Sequence, residues 1–176
     1  TTSYTFIIDG NYLAMRMAFA TGLDFKSDPE KHSIEYFKAL CSSFSNLVGD
    51  YRDSIGKVMM VIDGRSWRKD VDMIVPALRE HLPKDEIQYK ANRSKDTVEI
   101  DLTVVLNVFK EFVKMLDEKF DVPLIQAEGA EGDDLLYVVS NEEVKNGNKC
   151  LLYTSDGDIS QLITDDVFVL KQMPRD

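Results

Sequence analysis

The chain has 176 residues and a mass of 20.1 kDa, and it is 44% hydrophobic and 30% charged, which suits one soluble domain with a real core and excludes a disordered chain. Its formal charge is −10 with a pI near 4.7, which taken alone argues against the basic footprint of a nucleic-acid binder. Two histidines (His32 and His81) and two distant cysteines (Cys41 and Cys150) exclude an HExxH zinc motif, a CxxC metal pair and a disulfide framework, leaving a reducing, cytoplasmic setting as the default.

Thr1-Thr2-Ser3-Tyr4 leads directly into a strand-like run, with no signal-peptide pattern. Tyr4–Ile8 reads as a buried strand ending in Asp9-Gly10, and Asn11–Ala20 as a helix. After a loop at Asp28-Pro29, Ser33 is placed to cap a long helix with apolar residues at Ile34, Phe37, Leu40, Phe44, Leu47 and Tyr51. Lys57–Ile62 is a second strand, ending in Asp63-Gly64. Trp67–Leu82 has helical character interrupted by Pro76, and Leu82–Thr97 is polar without a clear period. Asp101–Phe120 carries the strongest helical stripe, through Leu102, Val105, Phe109, Phe112, Leu116 and Phe120. Val122–Ile125 is a third strand, Glu131–Val144 a helix stopped near Gly147, and Lys149–Thr154 a fourth strand. Ile159–Ile163 is a short helix and Val167–Leu170 a last strand. No run approaches the roughly 20 apolar residues of a membrane helix. Strands alternating with helices predict an α/β fold, a mainly parallel sheet with helices on both faces, in one domain spanning residues 1–176.

The acids fall in a pattern. Asp9, Asp63 and Asp156 each follow a strand-like run, and the C-terminal ends of parallel strands share one edge, where ligands bind. Glu131, Asp133 and Asp134 open a helix that starts at that edge, and Asp158 lies two residues beyond Asp156. Seven carboxylates can therefore converge, and their repulsion calls for hard divalent cations such as Mg²⁺ or Mn²⁺. In two-metal phosphoryl chemistry the ions stand about 3.5–4 Å apart and flank an in-line displacement. Each segment alone has a plainer reading: Asp-Gly is common turn chemistry, and acids at a helix start suit the helix dipole. The coincidence of four segments at one edge is what favours a metal site. The cationic complement lies in Arg65–Lys95, where eight basic residues against five acidic ones give net +3, leaving −13 elsewhere.

These residues resemble the flap endonuclease/5′-nuclease family, which includes the 5′-nuclease domain of bacterial DNA polymerase I and phage replication nucleases. The resemblance rests on Ile7-Ile8-Asp9-Gly10-Asn11-Tyr12-Leu13 with Arg16, Val61-Ile62-Asp63-Gly64, Tyr89-Lys90-Ala91-Asn92-Arg93, Gly129-Ala130-Glu131-Gly132-Asp133-Asp134 and Thr154-Ser155-Asp156-Gly157-Asp158 with Gln161-Leu162, in that order. Gly132 stands where the family's signature usually has alanine. The resemblance implies a PIN-like fold and metal-dependent hydrolysis of phosphodiester bonds at 5′ ends, 5′ flaps or primer RNA in DNA replication and repair, in the cytoplasm of a bacterial or phage-infected cell. It implies Asp9, Asp63, Glu131, Asp133 and Asp134 at a first metal, and Asp156 and Asp158 reaching both. Lys90 and Arg93 would act at the reacting phosphate, in an arch-like basic segment at about 65–97. Arg68, Lys69 and Lys95 would join them in holding nucleic acid, and replication proteins are further partners. The family's C-terminal helix-hairpin region has no counterpart in these residues, so one well-held ion near Asp9, Asp133 and Asp134 is expected, with a second held weakly.

Three rivals stand beside this reading. The strand leading to Asp156-Gly157-Asp158 superficially resembles the opening of a haloacid-dehalogenase phosphatase, but only 18 residues follow Asp158. A PIN-type ribonuclease shares the fold and the acids, and the Tyr89–Arg93 segment argues for the flap-nuclease branch. A non-catalytic acidic α/β interaction module is the third alternative, against which stands the retention of all seven acids.

Overall fold

The computed structural model describes residues 3–64 and 102–171. The basic segment and its residues Arg68, Lys69, Lys90, Arg93 and Lys95, with the helix expected at Trp67–Leu82, lie outside the described residues. Five strands form one parallel sheet in the order β3-β2-β1-β4-β5: β1 (Tyr4–Asp9), β2 (Ile55–Val61), β3 (Leu124–Ile125), β4 (Lys149–Tyr153) and β5 (Val167–Leu170). The central strand alternates its side chains between two cores. Phe6 and Ile8 pack with α1 (Gly10–Thr21), α2 (Pro29–Tyr51) and α3 (Leu102–Phe120) on one face. Ile7 packs with Val61, Leu136 and Leu152 beneath α4 (Gly132–Lys145) on the other. With both faces covered, β1 needs apolar residues at every interior position, which is why it reads as a continuous apolar run.

The strand order reverses beside β1: the chain steps outward through β2 and β3, then returns to the other side for β4 and β5. Such a reversal opens a crevice at the carboxyl ends of the strands. Asp9 ends β1 and Asp156 follows β4, so the two acids flank it.

Several local expectations shift. The long helix starts five residues earlier than Ser33 suggests, because Asp28 accepts the Lys31 N–H at 3.1 Å and Pro29 begins the helix with φ already set. That helix buries Tyr36, whose hydroxyl donates to the Ala14 carbonyl at 2.7 Å, and leaves Ile34 exposed. On α3 the stripe holds at Val105, Phe109, Phe112 and Leu116, while Leu102 and Phe120 are exposed at its ends. The third strand shrinks to Leu124–Ile125, and the segment after Asp156 is a 3-10 turn at Asp158–Leu162. Gly147, at φ 83°, follows the end of α4 as expected.

The opposite edge of the sheet is tied by a buried carboxylate. Glu143 on α4 accepts from Thr5 Oγ1 at 2.7 Å, Lys57 Nζ at 2.9 Å and Asn148 Nδ2 at 2.9 Å. Burial works to raise its pKa, but the bonds from Lys57, Thr5 and Asn148 outweigh it and hold the carboxyl below its ordinary value. The cluster joins β1, β2 and α4 away from the acidic edge.

Candidate metal centre

Asp9 is both the last residue of β1 and the cap of α1. Its Oδ1 accepts the Tyr12 N–H at 3.1 Å, and its Oδ2 accepts the Thr154 hydroxyl at 2.9 Å in a buried contact. Burial raises its pKa; the Tyr12 and Thr154 hydrogen bonds oppose that, and the charges of Asp63 and Asp156 add to it.

Asp63 lies two residues past β2 and is held from two helices. Asn11 Nδ2 donates to its Oδ2 at 2.8 Å and the Gly132 N–H donates to its Oδ1 at 2.6 Å. Its own N–H returns to Asn11 Oδ1 at 3.1 Å, and Gln126 Nε2 donates to its carbonyl at 2.8 Å. The two Asp-Gly pairs are therefore not simple turns. Neither Gly10 nor Gly64 has a positive φ; a side chain at Gly10 would meet the Val61 carbonyl at 2.9 Å, and one at Gly64 would meet the Ala130 carbonyl at 2.9 Å.

Asp156 accepts the Asp158 N–H at 2.8 Å and sends its own N–H to Thr154 Oγ1 at 3.3 Å. Asp133, in the first turn of α4, is hydrogen-bonded to Asp156, and its pKa is pushed up to about 6. Burial is the largest cause, followed by the charges of Asp156, Asp9 and Asp63; the residue as a whole stays exposed, so water screens part of this push. Burial together with the charges of three neighbouring carboxylates raises this carboxyl, and the gathered anions mark a place where positive charge is short.

Four of the seven expected ligands, Asp9, Asp63, Asp133 and Asp156, thus act on one another at one edge. The other three have different surroundings. Asp134 turns back to accept the Glu131 N–H at 3.1 Å, capping its own helix, and Glu131 is the capping residue. Asp158 is exposed at the start of the 3-10 turn. Among the described residues no three acids stand close enough to close on one ion without moving. The donor set is all oxygen and all anionic, which fits a hard divalent cation, with side-chain rotation on binding.

Two residues that serve the site escaped the sequence reading. Thr154 is fully buried and bridges the β1 and β4 acids. Asn11 orients Asp63 from the start of α1. Both lie inside the motifs around Asp9 and Asp156, and the signal available for Thr154 was a polar residue at the end of an apolar strand, where burial without a partner is costly.

The DNA polymerase I of Chloroflexus aurantiacus is 24% identical over 173 residues, covering 96% of this chain but 16% of the polymerase. A bacteriophage T5 5′-exonuclease structure with bound zinc is 22% identical with a TM-score of 0.58, over 93% of this chain and 53% of the phage protein. A T5 flap endonuclease complex with DNA and metal ions is 20% identical with a TM-score of 0.53, over 94% of this chain and 54% of that one. The chain therefore spans about half the length of the phage enzymes, and at these identities the likeness establishes the fold: a PIN-like 5′-nuclease sheet flanked by helices. Residues 4–176 match the family described as 5′-3′ exonuclease, N-terminal resolvase-like domain, and the chain belongs to it.

Proposed function

We propose that the chain is a divalent-metal-dependent 5′-nuclease, acting on DNA with a 5′ end or 5′ flap and on the RNA primer of an RNA–DNA hybrid. The observation that carries this reading is the mutual action of Asp9, Asp63, Asp133 and Asp156 from four separate segments at the crevice edge, in a chain of this family. Its T5 relatives are crystallised with divalent ions and with DNA. Asp9, Asp133 and Asp156, with Asp63, would hold Mg²⁺ or Mn²⁺, joined on closing by Glu131, Asp134 and Asp158; two ions are proposed, the second more weakly held. When bound, the ions would polarise a phosphoryl oxygen and lower the pKa of an attacking water.

The rest falls to the chain's own groups. Thr154 and Asn11 keep Asp9 and Asp63 at fixed orientation, so the cost of organising the ligands is met on folding. Lys90 and Arg93 would bring mobile cations to the reacting phosphate. Arg68, Lys69 and Lys95 would guide the strand, offsetting the repulsion of a chain with charge −10. Residues 1–176 would work as one catalytic domain, in the cytoplasm of a bacterial or phage-infected cell and beside replication proteins.

The test is cleavage of end-labelled 5′-flap DNA in Mg²⁺ or Mn²⁺. Activity should be lost in EDTA, restored by either ion, and reduced by more than about a hundredfold in Asp156→Asn, beyond the cost of an outer-sphere change. Cleavage that persists in EDTA would contradict the reading. Preference for single-stranded RNA over flap DNA would favour the PIN-type ribonuclease.

A further inference from the structure

We propose that Tyr153 is a positioning residue for substrate: its buried hydroxyl holds the Arg16 guanidinium beside the acidic edge, aimed at a phosphate of the nucleic-acid backbone. This rests on the nuclease reading above and adds to it a residue that touches neither metal nor substrate. Tyr153 ends β4, opposite Ile8 of β1, and is 1% exposed. Its ring packs against Tyr12 at 5.2 Å and Phe6 at 6.4 Å between centroids. Its hydroxyl accepts from Arg16 Nη1 at 2.6 Å and is hydrogen-bonded to Tyr12. Burial raises the pKa of the phenol against the pull of the Arg16 charge, so the acceptor is a neutral hydroxyl.

Arg16 lies about two turns along α1 from Asp9, and long helical side chains lean back toward the helix start. Its reach to the last residue of β4 follows that lean, and the next residue, Thr154, bonds Asp9. The cation therefore stands near the carboxyl edge, beside β1 and β4, where the strand order reverses. It does not pair with the acids there. Among the described residues Arg16 makes no ion pair, and the charges that act on Asp9 and Asp133 are those of other carboxylates. A half-buried guanidinium bound to a neutral phenol keeps its charge and its other N–H donors for an incoming anion, and phosphate suits that fork of donors. The phenol supplies direction: fixing one rotamer of a long side chain before binding lowers the entropy lost on association.

The experiment is anisotropy titration of fluorescently labelled 5′-flap DNA with the intact protein in EDTA at several salt concentrations. Cleavage in Mn²⁺ and thermal unfolding are followed alongside, for wild type, Tyr153→Phe, Arg16→Ala and the double variant. Arg16→Ala should weaken binding about tenfold and lower the salt slope by about one, as for a lost phosphate contact. Tyr153→Phe keeps the ring in the core and should weaken binding about fivefold, through the loss of a hydrogen bond to a charged group. Added to Arg16→Ala, it should cost little further, because the group it aims is gone. Unchanged affinity in either single variant, or an equal loss from Tyr153→Phe with and without Arg16, would overturn the positioning role, while Mn²⁺-dependent cleavage by wild type would leave the nuclease reading intact. A wild type that neither binds the flap nor cleaves it in Mn²⁺ would overturn both.

Discussion

Thr154 does at residue scale what no carboxylate can do for itself. Its hydroxyl donates to Asp9 and accepts from the Asp156 amide, so one buried oxygen fixes the relation between the acids of β1 and β4. Thr154→Val keeps the shape and removes both bonds; divalent-ion affinity should fall about tenfold, and Thr154→Ser should recover most of it, as read by Mn²⁺ titration. The raised acids set a pH dependence of opposite sign to the usual acid denaturation. Asp9 and Asp133 bind protons more tightly folded than unfolded, so their contribution to stability is full below the ordinary value of 3.8. It is lost as pH rises through about 6, where Asp133 ionises. In EDTA, Asp133→Asn should therefore unfold at a higher temperature than wild type at pH 7 and show little difference at pH 4. With Mn²⁺ present the order should reverse, because the ion binds the ionised form. A wild type no less stable than Asp133→Asn at pH 7 in EDTA would contradict the repulsion within the cluster.

At the scale of elements, α4 links the two edges of the sheet: its first turn meets the acids and its last turn supplies Glu143. Glu143→Ala would strip the acceptor from Thr5, Lys57 and Asn148 and should cost about 2–3 kcal/mol by denaturant unfolding. Because the Glu143 pKa is lowered on folding, its contribution is present above the ordinary value of 4.5 and lost as pH falls through the lower folded value. The helix cap is a smaller effect; Asp28→Ala should cost about 1 kcal/mol. What was legible in the sequence follows from these forces. The strand buried on both faces, β1, announces itself as an apolar run, and the apolar stretches of β2, β4 and β5 were likewise readable within a residue or two. The acids at their ends were readable because parallel strands share an edge. The start of α2 was misplaced because Asp28-Pro29 looks like a loop and is a cap followed by a first turn. Tyr36 was missed because periodicity ranks it below Ile34, whereas its hydroxyl has a carbonyl partner that makes full burial possible. Glu143 and Thr154 are long-range partnerships, 138 and 145 residues from Thr5 and Asp9, and no local pattern encodes them.

Across the whole sequence, the acids at the sheet edge stand against a basic segment at 65–95 of net charge +3, which under the proposed function would offset the repulsion of a nucleic-acid backbone. That division separates two classes of variant. Lys90→Ala should lower single-turnover cleavage far more than affinity, since its proposed charge meets the reacting phosphate. Arg68→Ala should weaken DNA binding and reduce its salt slope by about one, with the cleavage step little changed. The reverse pattern would remove Lys90 from the catalytic residues. All of this depends on one central claim, that Asp9, Asp63, Asp133 and Asp156 share a divalent ion at the switch point of the sheet. The most direct measurement is anomalous diffraction from crystals of the protein soaked in Mn²⁺. A strong Mn²⁺ peak is expected at about 2.1–2.4 Å from carboxylate oxygens of at least Asp9, Asp133 and Asp156, with a weaker second peak nearby. Mn²⁺ bound only elsewhere, or an acidic edge with no peak at saturating Mn²⁺, would contradict it.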